Sequence, residues 1–297
     1  MNFLQIHFPV SGVEISLFIP PAVAFIISFF TSMAGISGAF LILPFQVSVL
    51  GFTTPSVSST NLLYNVVGTP GGVLRYAREK RMVWPLAGSI VAGTLPGVLV
   101  GYYFRVKLLP DPRTFKFFVG VVLLYVGWRL LQDIGRQPVL EKPNAIAALP
   151  TCDMSASLRA VSFSFMGQRI CFSVPAILIP ALCVGIIGGI YGIGGGAIIA
   201  PFLVTIMRLP IYAVAGAVLL ANFVTSLTGV FFYSAIPLNQ GQVAPPDWLL
   251  GALFGVGGLI GMYCGAKWQR FMPEKIIKCT LAIIIFIISG KYIFQYF

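Results

Sequence analysis

The stretch Gly192-Ile193-Gly194-Gly195-Gly196-Ala197-Ile198-Ile199-Ala200-Pro201-Phe202 lies in a nearly uncharged apolar sequence. A glycine cluster in that setting breaks or sharply bends a helix, because glycine propagates a helix poorly and adopts positive φ without strain. The chain holds an earlier copy, Gly35-Ile36-Ser37-Gly38-Ala39-Phe40-Leu41-Ile42-Leu43-Pro44-Phe45. An offset of 157 residues carries Gly35 onto Gly192, Gly38 onto Gly195, Pro44 onto Pro201 and Phe45 onto Phe202. The same register runs without a gap through Leu62 and Leu219, Asn65 and Asn222, Gly72 and Gly229, and Tyr76 and Tyr233. Interrupted apolar segments at corresponding positions of two halves are the best sequence pointer to a transporter's binding site.

Composition sets the class. Of 297 residues, 58% are hydrophobic and 9% charged, whereas a soluble domain carries roughly 25% charged residues. The chain reads as a polytopic membrane protein. Its net charge of +11 then belongs to cytoplasmic loops and gives no indication of nucleic-acid binding. The five cysteines, Cys152, Cys171, Cys183, Cys264 and Cys279, show no paired spacing and read as small packing residues. His7 is the only histidine, which excludes metal centres built on several histidines; no metal and no cofactor is expected. The N-terminus lacks a basic leader region, so residues 14–34 are expected to stay as a membrane segment.

Ten apolar segments follow, near 15–34, 36–51, 55–75, 83–104, 114–132, 174–191, 193–208, 211–233, 248–268 and 275–295. Most approach the ~20 residues that span a bilayer as a helix. The second and seventh are shorter and open on the glycine clusters; oblique spanning and partial entry stay open for both. The repeat continues beyond the gapless region: Trp84 aligns with Trp248, and Gly93, Gly97 and Gly101 fall on Gly257, Gly261 and Gly265. Four-residue spacing puts each glycine trio on one helix face, where backbones can approach closely.

The expected fold is all-α: two homologous transmembrane halves, 1–132 and 173–297, joined by a cytoplasmic linker at 133–172 that ends in a short interfacial helix. Five crossings per half make the second copy enter from the opposite side, as an inverted repeat with glycine-broken helices near the midplane. Loop charge agrees, since Arg75, Arg78, Lys80 and Arg81 follow the third segment while residues 234–247, the matching loop, hold no Lys or Arg. One loop disagrees, because Arg105, Lys107 and Arg113 fall on the outer side. An eight-crossing parallel repeat, with the two short segments re-entrant, misplaces a basic loop as well.

Every acid falls in a loop or at a segment end, and so does every Lys and Arg. The carboxylate relay common in proton-driven pumps is therefore not expected, nor is an acid–base pair for catalysis. Neutral polar residues remain inside: Ser37, Gln46, Ser58, Ser59, Thr60, Asn61 and Asn65 in the first half, and Asn222, Thr225, Ser226 and Thr228 in the second. Asn65 and Asn222 are repeat-equivalent and read either as interhelical glue or as ligands of a shared site. A helix starting after a glycine break presents backbone N–H groups and a positive dipole end, which suit an anion without a buried cation.

At these residues the chain resembles the sulfite exporter TauE/SafE family. The duplicated glycine opening, the helices running to Tyr76 and Tyr233 and the glycine-spaced fourth segments carry the resemblance, over about 20–295. It implies a multi-pass transporter of a prokaryotic plasma membrane that moves a sulfur-containing anion such as sulfite, sulfoacetate or another organosulfonate, mostly outward. The substrate-site candidates become Gly35, Ser37, Gly38 and Asn65 with Gly192, Gly194, Gly195, Gly196, Asn222 and Thr225. The first copy departs from the pattern, since Ser37 and Ala39 stand where the second has Gly194 and Gly196; this makes the site asymmetric. The expected partners are the anion, the lipid bilayer and a coupling ion, proton or sodium. A homodimer through the glycine-striped segments stays open. The favoured function is secondary transport by alternating access. The rivals are a passive anion channel and a membrane scaffold without substrate.

Overall fold

The computed structural model describes residues 5–33, 36–78, 82–135, 152–156, 160–165, 168–205, 207, 209, 211–237, 243–268 and 274–297. The first half begins with a hairpin of β1 (Gln5–Phe8) and β2 (Val13–Ser16), then α1 (Ile19–Met33), α2 (Ala39–Ser48), α3 (Ser56–Gly68), α4 (Pro70–Arg78), α5 (Trp84–Lys107) and α6 (Pro112–Gly135). Three antiparallel strands follow: β3 (Cys152–Ala156), β4 (Ala160–Phe165) and β5 (Gln168–Ser173). The second half is α7 (Val174–Tyr191), α8 (Gly196–Thr205), α9 (Ile211–Ala235), α10 (Trp248–Trp268) and α11 (Glu274–Phe294).

Among the described residues, six helices are long and apolar enough to cross a membrane: α5, α6, α7, α9, α10 and α11. The third segment of the sequence is divided at Thr69-Pro70 into α3 and α4, because proline is favoured in a first helical turn and cannot donate to the turn before it. The short segments resolve as α2 and α8, 10 residues each. At 1.5 Å per residue each is about 15 Å long, half the ~30 Å hydrocarbon core.

The exterior is apolar, with Ile179, Phe231, Tyr263 and Ile287 all more than 60% exposed. The interior is polar at many points: Ser28, Thr31, Gln46, Ser58, Asn61, Asn65, Thr94, Thr225 and Ser226 are fully buried or nearly so. An apolar exterior fits a hydrocarbon surround, where no polar cover is needed. Trp84, Trp128, Trp248 and Trp268 are exposed at or near helix ends, the position that interfacial tryptophans take.

The halves are interwoven. The glycine-striped helix of each half packs on the first helix of the other: α5 on α7 and α10 on α1. Likewise α5 packs on α9 and α10 on α3, while α3 meets α9 and α6 meets α11. The glycine stripes make the first two contacts possible. A Cβ at Gly93, Gly97 or Gly101 would strike the carbonyls of Leu178, Leu182 and Ile186. A Cβ at Gly257, Gly261 or Gly265 would strike those of Pro21, Phe25 and Phe29. These carbonyl sets are themselves related by the 157-residue offset. The stripes thus pack inside one chain.

The same contacts give helix directions. Both glycine-striped pairs run parallel, and α3 runs parallel to α10, with Gly251 against Leu63 and Gly255 against Val67. In contrast α6 and α11 are antiparallel, Gly120 meeting Tyr292 and Gly127 meeting Ile285. The helices α3 and α9 are antiparallel too, since Gly229 meets Leu62 while Gly72, in α4, meets Leu219.

Two expectations are corrected. Residues 5–16 form a hairpin and α1 starts only at Ile19. Its tip is tied down: Ser11 donates from its N–H (3.1 Å) and its hydroxyl (3.0 Å) to Asp247, which also accepts from the Leu250 N–H at the start of α10 (3.3 Å). The described part of the linker ends in strands and not in an interfacial helix. Val161, Phe163 and Phe165 alternate with Ser162 and Ser164, a period of two that suits a strand.

Candidate functional site

Helix α7 ends where Gly192 takes φ +86°, its N–H closing on Gly188 O at 2.8 Å. Gly194 follows at φ +72° and α8 starts at Gly196. Left-handed backbone at two positions within three residues is what glycine permits and other residues resist. The whole break, 192–196, is buried.

Helices α3 and α9, repeat-equivalents, both aim polar groups at this break. Asn65 Nδ2 donates to Ile193 O at 2.9 Å, reaching from the first half into the second. Ser58 Oγ donates to Ile190 O at 2.8 Å, and its own carbonyl abuts Gly192. From α9, Thr225 Oγ1 accepts the Gly195 N–H at 3.1 Å while donating to Ala221 O. A Cβ at Gly194 would fall 2.6 Å from Ser226 Oγ and collide with Asn222 Oδ1; one at Gly196 would lie 2.7 Å from Asn222 Cβ. Asn222 Oδ1 and Ser226 Oγ are buried and have no hydrogen-bond partner among the described residues. Buried polar atoms are nearly always paired, so an orphan pair beside a helix start needs an explanation.

The first break is built differently. Gly35 lies outside the described residues. Ser37 Oγ accepts the Ala39 N–H at 3.3 Å, a local turn just before α2. A Cβ at Gly38 would lie 2.5 Å from Tyr64 Oη and 2.8 Å from Ser28 Oγ, which are bonded to each other at 2.9 Å. Asn61 Nδ2 donates to Ala39 O at 3.1 Å, leaving its Oδ1 unpaired. The clusters are bridged, since Tyr191 donates to Phe40 O at 2.8 Å. Asymmetry follows from sequence: the position equivalent to Tyr64 in the second copy is Ala221, and that equivalent to Ser28 is Gly185.

The structure therefore brings Asn65, Asn222, Thr225, Gly192, Gly194, Gly195 and Gly196 together, and sets Ser37 and Gly38 in a neighbouring cluster. Sequence reasoning missed Ser28, Tyr64, Tyr191 and Arg105. The guanidinium of Arg105 is fully buried, bonded to Ser58 Oγ at 3.3 Å, to Thr53 O at 3.4 Å and to Leu109 O. The charges of the discordant loop thus differ in kind, because Arg105 is buried while Lys107 and Arg113 are exposed. Asn222 and Ser226 thus stand among the orphaned polar residues of an apolar bundle, at a break between helices.

A family model described as sulfite exporter TauE/SafE matches residues 21–292. The chain belongs to the sulfite exporter TauE/SafE family. It is 23% identical over 271 residues to the probable membrane transporter protein YunE of Bacillus subtilis (strain 168), covering 89% of this chain and 92% of that protein. It is 25% identical over 254 residues to a probable membrane transporter protein of Xylella fastidiosa (strain 9a5c), 84% of each. No solved structure matches it. This TauE/SafE-family chain is a multi-pass membrane transporter, and its six long apolar helices agree with that class.

Proposed function

We propose that this transporter moves a small sulfur oxyanion, such as sulfite or an organosulfonate, by alternating access around the break at 192–196. The observation that carries the reading is the convergence of Ser58, Asn65, Asn222, Thr225 and Ser226 on that break, with Asn222 Oδ1 and Ser226 Oγ unpaired. Helix α8 opens there, so its dipole and first N–H groups favour an anion. Unpaired oxygens beside them suit an anion that carries a proton, as bisulfite does. Neutral donors keep affinity moderate, which suits turnover. Burial of the whole break favours a moving mechanism over a standing pore, because passage requires the packed helices to part.

Helix directions support an inverted repeat. With ten limbs, α1, α3 and α10 run one way and α5, α7 and α9 the other, as the parallel and antiparallel contacts require. The eight-crossing parallel alternative would make α6 and α11 parallel, against the Gly120 and Gly127 contacts. The loop after α4 then faces the cytoplasm, together with the linker.

Thermal melting of the purified protein in detergent tests the reading. Sulfite, sulfoacetate, thiosulfate, sulfate and chloride would each be added in turn. At 100 times its dissociation constant a ligand specific for the folded state adds about 2.7 kcal/mol. One sulfur anion should raise the melting temperature, and Asn222→Ala combined with Ser226→Ala should remove the rise while the protein stays folded. A folded wild type that responds to none of them would refute the sulfur-anion assignment.

A further inference from the structure

We propose that Arg105 is the fixed positive charge that receives the transported anion at the membrane face opposite Arg78; this rests on the anion-transport reading above. Arg105 lies in the last turn of α5, one full span beyond the loop that follows Arg78. Its guanidinium is fully buried, and among the described residues no carboxylate pairs with it. Its partners are neutral: the Ser58 hydroxyl, the carbonyls of Thr53 and Leu109, and the Phe115 ring, 3.7 Å from Arg105 Cζ. A buried cation without a counter-charge is strongly disfavoured in a bilayer protein. Three of the five guanidinium N–H groups have partners among the described residues.

Those partners are also easily exchanged. The bonds to Ser58 and Thr53, at 3.3 and 3.4 Å, are long against the usual ~2.9 Å. An oxyanion offers the planar fork two charged oxygens at once, a stronger pairing than either. Ser58 links the charge to the transport site, since its hydroxyl holds Ile190 O and its carbonyl packs on Gly192. Movement at the break therefore shifts Ser58 and releases Arg105 Nε toward the anion. The ligand class is a small oxyanion able to accept two parallel N–H bonds.

The test compares wild type with Arg105→Gln, Arg105→Lys and Arg113→Gln, the last removing an exposed charge from the same face. Sulfite binding is followed by melting temperature in detergent, and sulfite flux in proteoliposomes gives KM and kcat. Arg113→Gln should bind as wild type does, Arg105→Gln should bind at least about tenfold more weakly, and Arg105→Lys should fall between them. Sulfite affinity in Arg105→Gln within about twofold of wild type overturns the assignment. If Arg105→Gln does not fold, Arg105→Lys decides: weakened binding with a raised KM upholds it, and wild-type affinity overturns it. A wild type that binds no sulfur oxyanion instead brings down the transport reading, and this inference with it.

Discussion

Gly194 and Gly51 share a left-handed backbone, φ +72° and +71°, but not surroundings. A Cβ at Gly51 meets nothing within 4 Å, whereas one at Gly194 runs into Asn222 and Ser226. Gly51→Ala should therefore cost only the left-handed strain, about 1–2 kcal/mol. Gly194→Ala adds overpacking of about 1–3 kcal/mol and should abolish transport at temperatures where Gly51→Ala still works. Paired melting curves and flux assays measure both. Asp247 carries a different kind of weight, capping α10 while holding the hairpin through Ser11. Asp247→Ala should lower unfolding free energy by about 1–2 kcal/mol, as a lost cap does, and expose the hairpin to protease. Single residues are also where sequence reading stopped. The orphan status of Asn222 was not legible, because pairing depends on a neighbour 28 positions away at Gly194. Nor was the burial of Arg105, since a long cationic stem at a helix end can turn either outward or inward.

At the scale of elements, the two glycine-striped contacts are equivalent by sequence and by the carbonyls they meet. Gly97→Leu and Gly261→Leu should each destabilise by similar amounts and lower the yield of folded protein. Leu at Gly290, where a Cβ meets nothing within 4 Å, should leave yield unchanged. Helix α6 is capped by Asp111, which accepts the Thr114 N–H at 2.9 Å; that bond holds its carboxyl below the usual carboxylate range, aided by the Thr114 hydroxyl and Arg113. A depressed folded pKa gives stability that is present above the unfolded value and lost as pH falls through the folded one. Asp111→Asn should thus melt below wild type at neutral pH, with the gap closing as pH drops below about 4. Helices and glycine stripes were legible because four-residue spacing and ~20-residue apolar runs leave few alternatives. The hairpin and the linker strands were not, because apolar runs of four to six residues suit either period and take their form from pairing partners distant in sequence.

For the whole molecule, the exchange of helix pairs between halves, with parallel and antiparallel directions fixed by glycine contacts, supports the inverted repeat already suggested by loop charge. In a cysteine-free background, Arg78→Cys and Lys267→Cys should react with an impermeant thiol reagent only from the cytoplasmic face, and Lys107→Cys and Val243→Cys only from the other. Labelling of Arg78→Cys and Lys107→Cys from one face would contradict that topology. The central claim is that a sulfur oxyanion is carried through the break at 192–196, and counterflow tests it most directly. Proteoliposomes loaded with unlabelled sulfite or a sulfonate would be presented with trace labelled substrate outside. The account predicts saturable accumulation of label that unlabelled substrate inside stimulates, lost in the Asn222→Ala/Ser226→Ala protein. Flux that neither saturates nor responds to substrate inside, or survives those substitutions unchanged, would contradict it.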